Sequence, residues 1–355
     1  MDFEKIKNQP IILYGFGVIG KVILKNLLYL NCDLKGVAVT SLIGNESTEG
    51  FDDIRVDVIE NWSDFSDSVI IISTSEKYHK EMSLKCESLG FKNVVFLTPE
   101  LKKEIIFESY RVWLEKCGVD LSKEIINIHG ANFINPFKCD VPNSAGLLGQ
   151  IGNFVVPIVL GDFEVAEEGP YEYGKVMLEK DDIVLDLGAN LGTFSVYATS
   201  KGCKSYAFEP TNYLVDVIKR HNEMNGNSIS VIDLAVSDKS GETEFYTDIN
   251  TCGGNTLLSD RINSSEKILV KTISVDEFVI SNNLEKVDFI KADIEGAERW
   301  MLEGAQETIK KFAPKLALCT YHLPDDKEVL TNLILKANPN YKISYKYNKL
   351  FAYVE

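Results

Sequence analysis

The chain has little histidine, no basic excess, no cysteines in C-x-x-C spacing and no long apolar run. Lys and Arg number 37 against 53 Asp and Glu, for a formal net charge of -16. A nucleic-acid substrate needs clustered cations, so this balance argues against one, and it disfavours adhesion to anionic lipid. An acidic surface otherwise means mainly solubility. The seven cysteines (Cys32, Cys86, Cys117, Cys139, Cys203, Cys252 and Cys319) are scattered and odd in number, which fits reduced thiols better than a disulfide framework or a zinc site. No apolar run approaches the ~20 residues that cross a bilayer. Met1 to Pro10 alternates acidic and basic residues without a targeting signal, so a cytoplasmic protein without membrane insertion is expected.

The sequence holds 45% hydrophobic and 25% charged residues, enough for a sizeable core. Its 355 residues suggest two domains. The most informative segment is Ile183-Val184-Leu185-Asp186-Leu187-Gly188-Ala189-Asn190-Leu191-Gly192-Thr193-Phe194, which reads as a buried parallel strand, a tight turn and a helix. Glu209 closes a second strand-like run, Lys204 to Phe208, at the spacing of about 20 residues where a carboxylate holds ribose hydroxyls in a nucleotide-binding βαβ unit. The turn reads Asp-x-Gly-x-Asn-x-Gly, and a pyrophosphate disfavours the anion that Asp186 supplies. A ligand with a cationic group is expected there, and S-adenosylmethionine, with its ammonium and sulfonium, fits.

A second glycine-rich turn, Gly15-Phe16-Gly17-Val18-Ile19-Gly20, follows the strand Pro10–Tyr14 and precedes a helix from about Lys21 to Leu30. Strands are expected at Leu34–Thr40, Ser68–Ser73 and Asn93–Leu97, with a helix from Glu76 to Leu89 stopped by Gly90. Gly15, Gly17 and Gly20 match the dinucleotide fingerprint, but the second strand ends in Val39-Thr40-Ser41 with no acid for a ribose and no Arg for a 2′-phosphate. NAD is therefore disfavoured. A nucleotide or nucleotide-sugar pocket and a ligand-free turn that keeps its glycines for geometry both remain open.

Alternating strands and helices predict an α/β protein with two Rossmann-like, doubly wound domains. Residues 1–100 form the first, residues 101–167 a linking helix and connecting segment, and residues 168–355 the second. In the link, the helical spacing of Leu101, Ile105, Ile106, Tyr110, Trp113 and Leu114 suggests packing across the domain boundary, and Phe154–Val159 reads as a short strand. In the second domain, strands are expected at Ile183–Leu187, Lys204–Phe208, Ile229–Leu234, Val287–Ala292 and Lys315–Tyr321. A C-terminal hairpin, Tyr341–Tyr347 with Leu350–Val354, finishes a mixed sheet of the class I methyltransferase type. Ligands of such sheets sit beyond the C-terminal strand ends, where Asp186, Glu209, Asp233, Asp293 and His322 are expected.

At these residues the chain resembles the FkbM family of S-adenosylmethionine-dependent O-methyltransferases. The resemblance rests on Glu168–Glu172, the Asp186–Gly192 turn, Phe208-Glu209-Pro210, Ala235–Asp238, Lys271–Glu277, Lys291–Glu298 and Tyr321-His322-x-Pro324-Asp325-Asp326, in order along the C-terminal half. It implies methylation of a hydroxyl, commonly on a sugar of a surface polysaccharide, glycolipid or natural product. The acceptor is then a sugar or sugar nucleotide. The N-terminal unit lies outside the shared region and more loosely resembles nucleotide-sugar-binding domains.

Gly188, Ala189, Asn190 and Gly192 are expected to shape the turn under the methionine end, Asp186 to face its ammonium, and Glu209 to hold the ribose. Asp233 is a candidate for the adenine amino group and Tyr171 for a cover. Each has a plain structural alternative as a turn, surface or packing residue. For the chemistry, Lys291, Asp293, Glu295 and Glu298 cluster after the fourth strand, and His322 is the first choice for general base against a purely structural histidine. Asp293 with Asp325 and Asp326 can instead hold Mg²⁺, although Asp325 and Asp326 also suit the N-terminus of the helix that follows, the favoured reading. An enzyme is the leading expectation. The alternatives are a nucleotide-binding protein with an inactive methyltransferase domain and an NAD-linked oxidoreductase.

Overall fold

In the computed structural model, the described residues are 2–41, 51, 53–128, 130–141, 144–151, 170–247, 255–258 and 266–355. The expected strand at Phe154–Val159 and the Glu168-Gly169 part of the family resemblance lie outside them. The chain divides into two compact units, Met1–Gly118 and Val119–Glu355. The helix expected to link the domains, Pro99–Lys116, is part of the first.

The first unit is built on β1 (Ile11–Tyr14), β2 (Leu34–Val39), β3 (Val56–Val58), β4 (Val69–Ile72) and β5 (Asn93–Phe96), in the order β3-β2-β1-β4-β5, all parallel. Alternate residues of β1 feed two different cores, as the period of a strand requires. Ile11 and Leu13 pack with Ile23, Leu24 and Leu27 of the helix Val18–Tyr29 and with Leu101 and Ile105 of Pro99–Lys116. Ile12 and Tyr14 pack with Trp62, Met82 and Cys86 on the other face. Both faces of the sheet are covered, which explains why its strands read as unbroken apolar runs.

In the second unit a hairpin of β6 (Ile125–Ile128) and β7 (Ala131–Ile134) precedes the main sheet. That sheet comprises β8 (Ile183–Leu187), β9 (Lys204–Phe208), β10 (Ile229–Ile232), β14 (Phe289–Ala292), β15 (Lys315–Cys319), β16 (Lys342–Lys346) and β17 (Lys349–Tyr353), in the order β10-β9-β8-β14-β15-β17-β16. Five strands are parallel, and β17 runs antiparallel to β15 and to β16. Its hairpin turns at Tyr347 and Asn348, whose φ of 53° and 56° are those of the turn that matches strand twist. A smaller sheet joins β11 (Ala235–Val236), β12 (Gly241–Thr247) and β13 (Glu266–Ile273). This mixed, doubly wound sheet with its terminal hairpin is the class I methyltransferase architecture.

The chain winds outward from β8 through β9 to β10, then returns to β14 on the other side of β8. That reversal opens a crevice beyond the strand ends, and Leu185, Leu187, Phe208, Ile290, Leu316 and Leu318 in the core beneath hold its floor rigid.

Candidate active site

A cavity lies at the switch between β8 and β14, beyond the strand ends where sheets of this kind bind small molecules. Its floor is the turn after β8. The amides of Gly188 and Ala189 both donate to Phe208 O, at 3.1 and 2.9 Å, tying the turn to the end of β9. Gly188 has φ +72°, and a Cβ there would stand 2.1 Å from Asp293 O, so only glycine lets the β8 and β14 ends approach this closely. Glu209 enters from the end of β9. Its Oε2 accepts from Asn190 N and its Oε1 from Thr211 N, both at 3.0 Å. Burial pushes its carboxyl up to about 7 against the pull of those donors. Phe208, Pro210, Leu214, Leu234 and Val236 give the same region apolar walls.

The opposite end is polar. Lys291, on β14, puts Nζ 3.0 Å from Asp186 Oδ1 and donates to Gly188 O at 2.7 Å. Asp293 follows it, with Oδ2 accepting from Tyr171 OH at 2.7 Å and Oδ1 from Tyr321 OH at 3.4 Å. Burial acts to raise the Asp293 pKa, but Lys291, His322 and the Tyr171 hydroxyl outweigh it and hold the carboxyl below its usual value. Glu295 lines the cavity beside it from a left-handed φ of 55°, a conformation uncommon for a side-chain-bearing residue. Among the described residues the ionisable lining is Glu209, Asp293 and Glu295 against Lys291, and Lys291 is already paired with Asp186. Such a lining favours a ligand carrying positive charge.

Residues 186–343, which span all of this except Tyr171, match the methyltransferase FkbM domain. They are an FkbM methyltransferase domain. Hexuronic acid methyltransferase AglP of Haloferax volcanii is 24% identical over 213 residues, 59% of this chain and 84% of that protein. The 31-O-demethyl-FK506 methyltransferase FkbM of Streptomyces tacrolimicus is 22% identical over 162 residues, 37% of this chain and 62% of that one. Among solved structures, methyltransferase FkbM from Methylobacillus flagellatus is 16% identical with a TM-score of 0.41, over 99% of this chain and 92% of that chain. The protein is a methyltransferase.

Several expected positions in the FkbM domain fall elsewhere. Asp186 does not line the cavity: it is fully buried, paired with Lys291, and its Oδ2 accepts from Ser195 Oγ at 2.7 Å. Its Oδ1 has Lys291 as ion-pair partner without a regular hydrogen bond, so both oxygens face side chains of the chain itself. Gly192 also lies off the lining; it caps the helix Thr193–Ser200 at φ +76°. Asp233 is exposed and points to solvent beyond β10, while its neighbours Leu234 and Ala235 line the cavity.

His322, expected as the base, lies off the cavity lining among three carboxylates. β15 ends at Cys319, and the imidazole beyond it is buried off the lining, with Nδ1 3.0 Å from Glu298 Oε1. Its Nε2 lies 3.4 Å from Asp293 Oδ1 and 3.5 Å from Glu295 Oε2. Burial pulls its pKa down, but Glu298, Asp293 and Glu295 together raise it to about 9. Those three carboxylates favour the charged imidazole, whereas a general base must begin neutral. Asp325 and Asp326 do not group with Asp293: both bind Arg299 Nη2, at 2.7 and 2.9 Å, and Asp326 Oδ2 also accepts from Leu323 N at 2.7 Å. Asp325 stands at the start of the helix Asp326–Ala337 yet makes no side-chain capping bond, so the expected cap is replaced by an ion-pair clamp.

Four contributors to the lining carry no motif that would have marked them beforehand. Gln150 reaches it and accepts from Thr193 Oγ1 at 2.6 Å. Phe245 comes from β12, and Asn255 and Leu257 from just beyond it. In the first unit, Gly15 (φ +123°) and Gly20 are needed for packing, since Cβ atoms would meet Thr74 Cγ2 at 2.8 Å and Gly15 O at 2.3 Å. Gly17 has open space within 4 Å, and packing does not demand glycine there.

Proposed function

We propose that this chain transfers a methyl group from S-adenosylmethionine to a hydroxyl of a sugar, a hexuronic acid being the favoured acceptor. The observation that carries the cofactor half is Glu209, a buried carboxylate held by two backbone amides while still lining the cavity at the β8–β14 switch. The cavity suits this cofactor chemically, with apolar walls near Glu209 for a base and a surplus of carboxylates for the sulfonium and ammonium.

Bound in that cavity, the cofactor supplies an electrophilic methyl group. The residues of the chain do the rest. Glu209 holds both ribose hydroxyls through charge-assisted bonds. The Gly188–Asn190 turn supports the amino-acid end, and Lys291 braces that turn through Gly188 O. Tyr171 fixes Asp293, so that the acceptor hydroxyl meets carboxylates of set orientation. Holding that hydroxyl in line with the methyl accounts for much of the rate, and a carboxylate of that end, Asp293 or Glu295, taking its proton as the oxygen–methyl bond forms typically adds about 10²–10⁴-fold.

The acceptor class rests on the relationship to the hexuronic acid methyltransferase AglP and on a polar end able to meet several oxygens at once. Methyl transfer from radiolabelled S-adenosylmethionine to a panel of hexuronates, neutral sugars and nucleotide sugars tests it. Label in a base-stable ether on the hexuronates is the expected result. Label in none of the sugars, with cofactor bound, would overturn the acceptor class.

A further inference from the structure

His322 stands with Asp293, Glu295 and Glu298 at the polar end of the cavity, in a cluster whose imidazole the methyl-transfer reading leaves without a role. The imidazole is wholly shielded from solvent, and among the described residues no hydrogen bond reaches Nδ1 or Nε2. Its nearest oxygens, Asp293 Oδ1 at 3.4 Å and Glu295 Oε2 at 3.5 Å, are too far for one. All three donor atoms lie within 4.8 Å of one another. Around an octahedral ion with bonds of about 2.1 Å, adjacent ligands stand about 3 Å apart and opposite ones about 4.2 Å. A small inward movement brings this trio to that spacing.

What surrounds the trio points the same way. A metal-bound histidine commonly turns its other ring nitrogen to a carboxylate, which fixes its orientation. Here Nδ1 faces Glu298 Oε1 at 3.0 Å, and Glu298 is itself fully buried and accepts from Ile294 N at 2.9 Å and Gly296 N at 3.0 Å. Asp293 gives its Oδ2 to Tyr171 and so turns Oδ1 toward His322. Glu295 reaches the trio from its left-handed backbone, a strained geometry that concentrates at functional positions. Asp293 and His322 are thus each held by a neighbour, and Asp293 and Glu295 line the cavity.

We propose that Asp293, Glu295 and His322 bind a divalent cation of the Mn²⁺ class at the acceptor end of the cavity. Two carboxylates and one imidazole suit such an ion, whose open positions take oxygen. The inference rests on the methyltransferase reading, in which the ion would gather neighbouring oxygens of a sugar acid and make one hydroxyl more acidic. It differs from the Asp293, Asp325 and Asp326 set expected from sequence, because Arg299 occupies the last two.

The test is binding of Mn²⁺ to the full chain after chelator treatment, followed by electron paramagnetic resonance and calorimetry. One tight site is expected, weakened at least tenfold in Glu295→Gln and in His322→Gln but unchanged in Asp325→Asn. Thermal unfolding of each variant shows that it is folded. Only weak, non-stoichiometric Mn²⁺ binding, or a tight site indifferent to Glu295→Gln and His322→Gln, overturns the proposal. S-adenosylmethionine binding with chelator present separates the two readings. A protein that binds the cofactor and no Mn²⁺ loses the cation site alone, and one that binds Mn²⁺ and no cofactor loses the methyltransferase reading alone.

Discussion

Asp186 and Lys291 face each other across β8 and β14, paired in register, with carboxylate and ammonium 3.0 Å apart and both buried. The pair carries the charge of the glycine turn into the sheet and fastens it, through Lys291, to Gly188 O. Removing one partner of a buried pair strands the other charge, at a cost of about 3–5 kcal/mol. Asp186→Asn is therefore expected to lose stability in that range by urea unfolding. The double variant Asp186→Leu/Lys291→Met loses less, since no charge is left stranded. A double variant less stable than Asp186→Asn would contradict this account of the pair.

The glycines make a sharper comparison. Gly188→Ala places a Cβ against the Asp293 carbonyl from a left-handed backbone, so a loss of at least about 1–3 kcal/mol is expected. Gly17→Ala meets nothing and changes only a helix cap, for an expected loss under about 1 kcal/mol. Equal losses in the two, measured by thermal unfolding, would show that packing does not distinguish them.

These glycines also mark how far the sequence could be read. The strands β8, β9 and β14 were legible because a strand buried on both faces is an unbroken apolar run, and Glu209 because its spacing from the turn is fixed by the βαβ unit. The Lys291 partner of Asp186 was not legible for a physical reason: it lies about a hundred residues away, on a strand adjacent only in space. The same blindness to distant partners hid Arg299 from Asp325 and Asp326, and the three carboxylates from His322. Gln150 and Asn255 carry no local pattern, so only the folded chain brings them to the cavity.

His221 shows the same lesson in a structural role. It is fully buried, with Nδ1 2.8 Å from Leu191 O and Nε2 accepting from Ile134 N at 3.2 Å. Burial lowers its pKa to about 4 from an ordinary 6.5. The unfolded chain therefore binds the proton first, and stability is lost as pH falls from about 6.5 to about 4, by about 3 kcal/mol from this group. Nitrogen NMR is expected to show a neutral His221 ring, protonated at Nδ1, at pH 5.5. A charged ring at that pH would contradict the assignment.

The central claim is that Glu209 holds the ribose of S-adenosylmethionine, and it carries a pH signature. With its carboxyl pushed up to about 7, Glu209 is mostly ionised at pH 8 and mostly protonated at pH 6. A protonated carboxyl accepts these hydrogen bonds poorly, so affinity falls as pH drops through 7, by up to about tenfold per pH unit. Glu209→Gln removes the charge, and with it about 1.5–3 kcal/mol of hydrogen bonding. Calorimetric titration of the wild type and Glu209→Gln with S-adenosylmethionine, at pH 6 and pH 8, is the most direct measurement. One site per chain is expected, tighter at pH 8 in the wild type, and at least tenfold weaker with no such pH dependence in Glu209→Gln. No binding to the wild type, or equal affinity in the variant at pH 8, would contradict the claim.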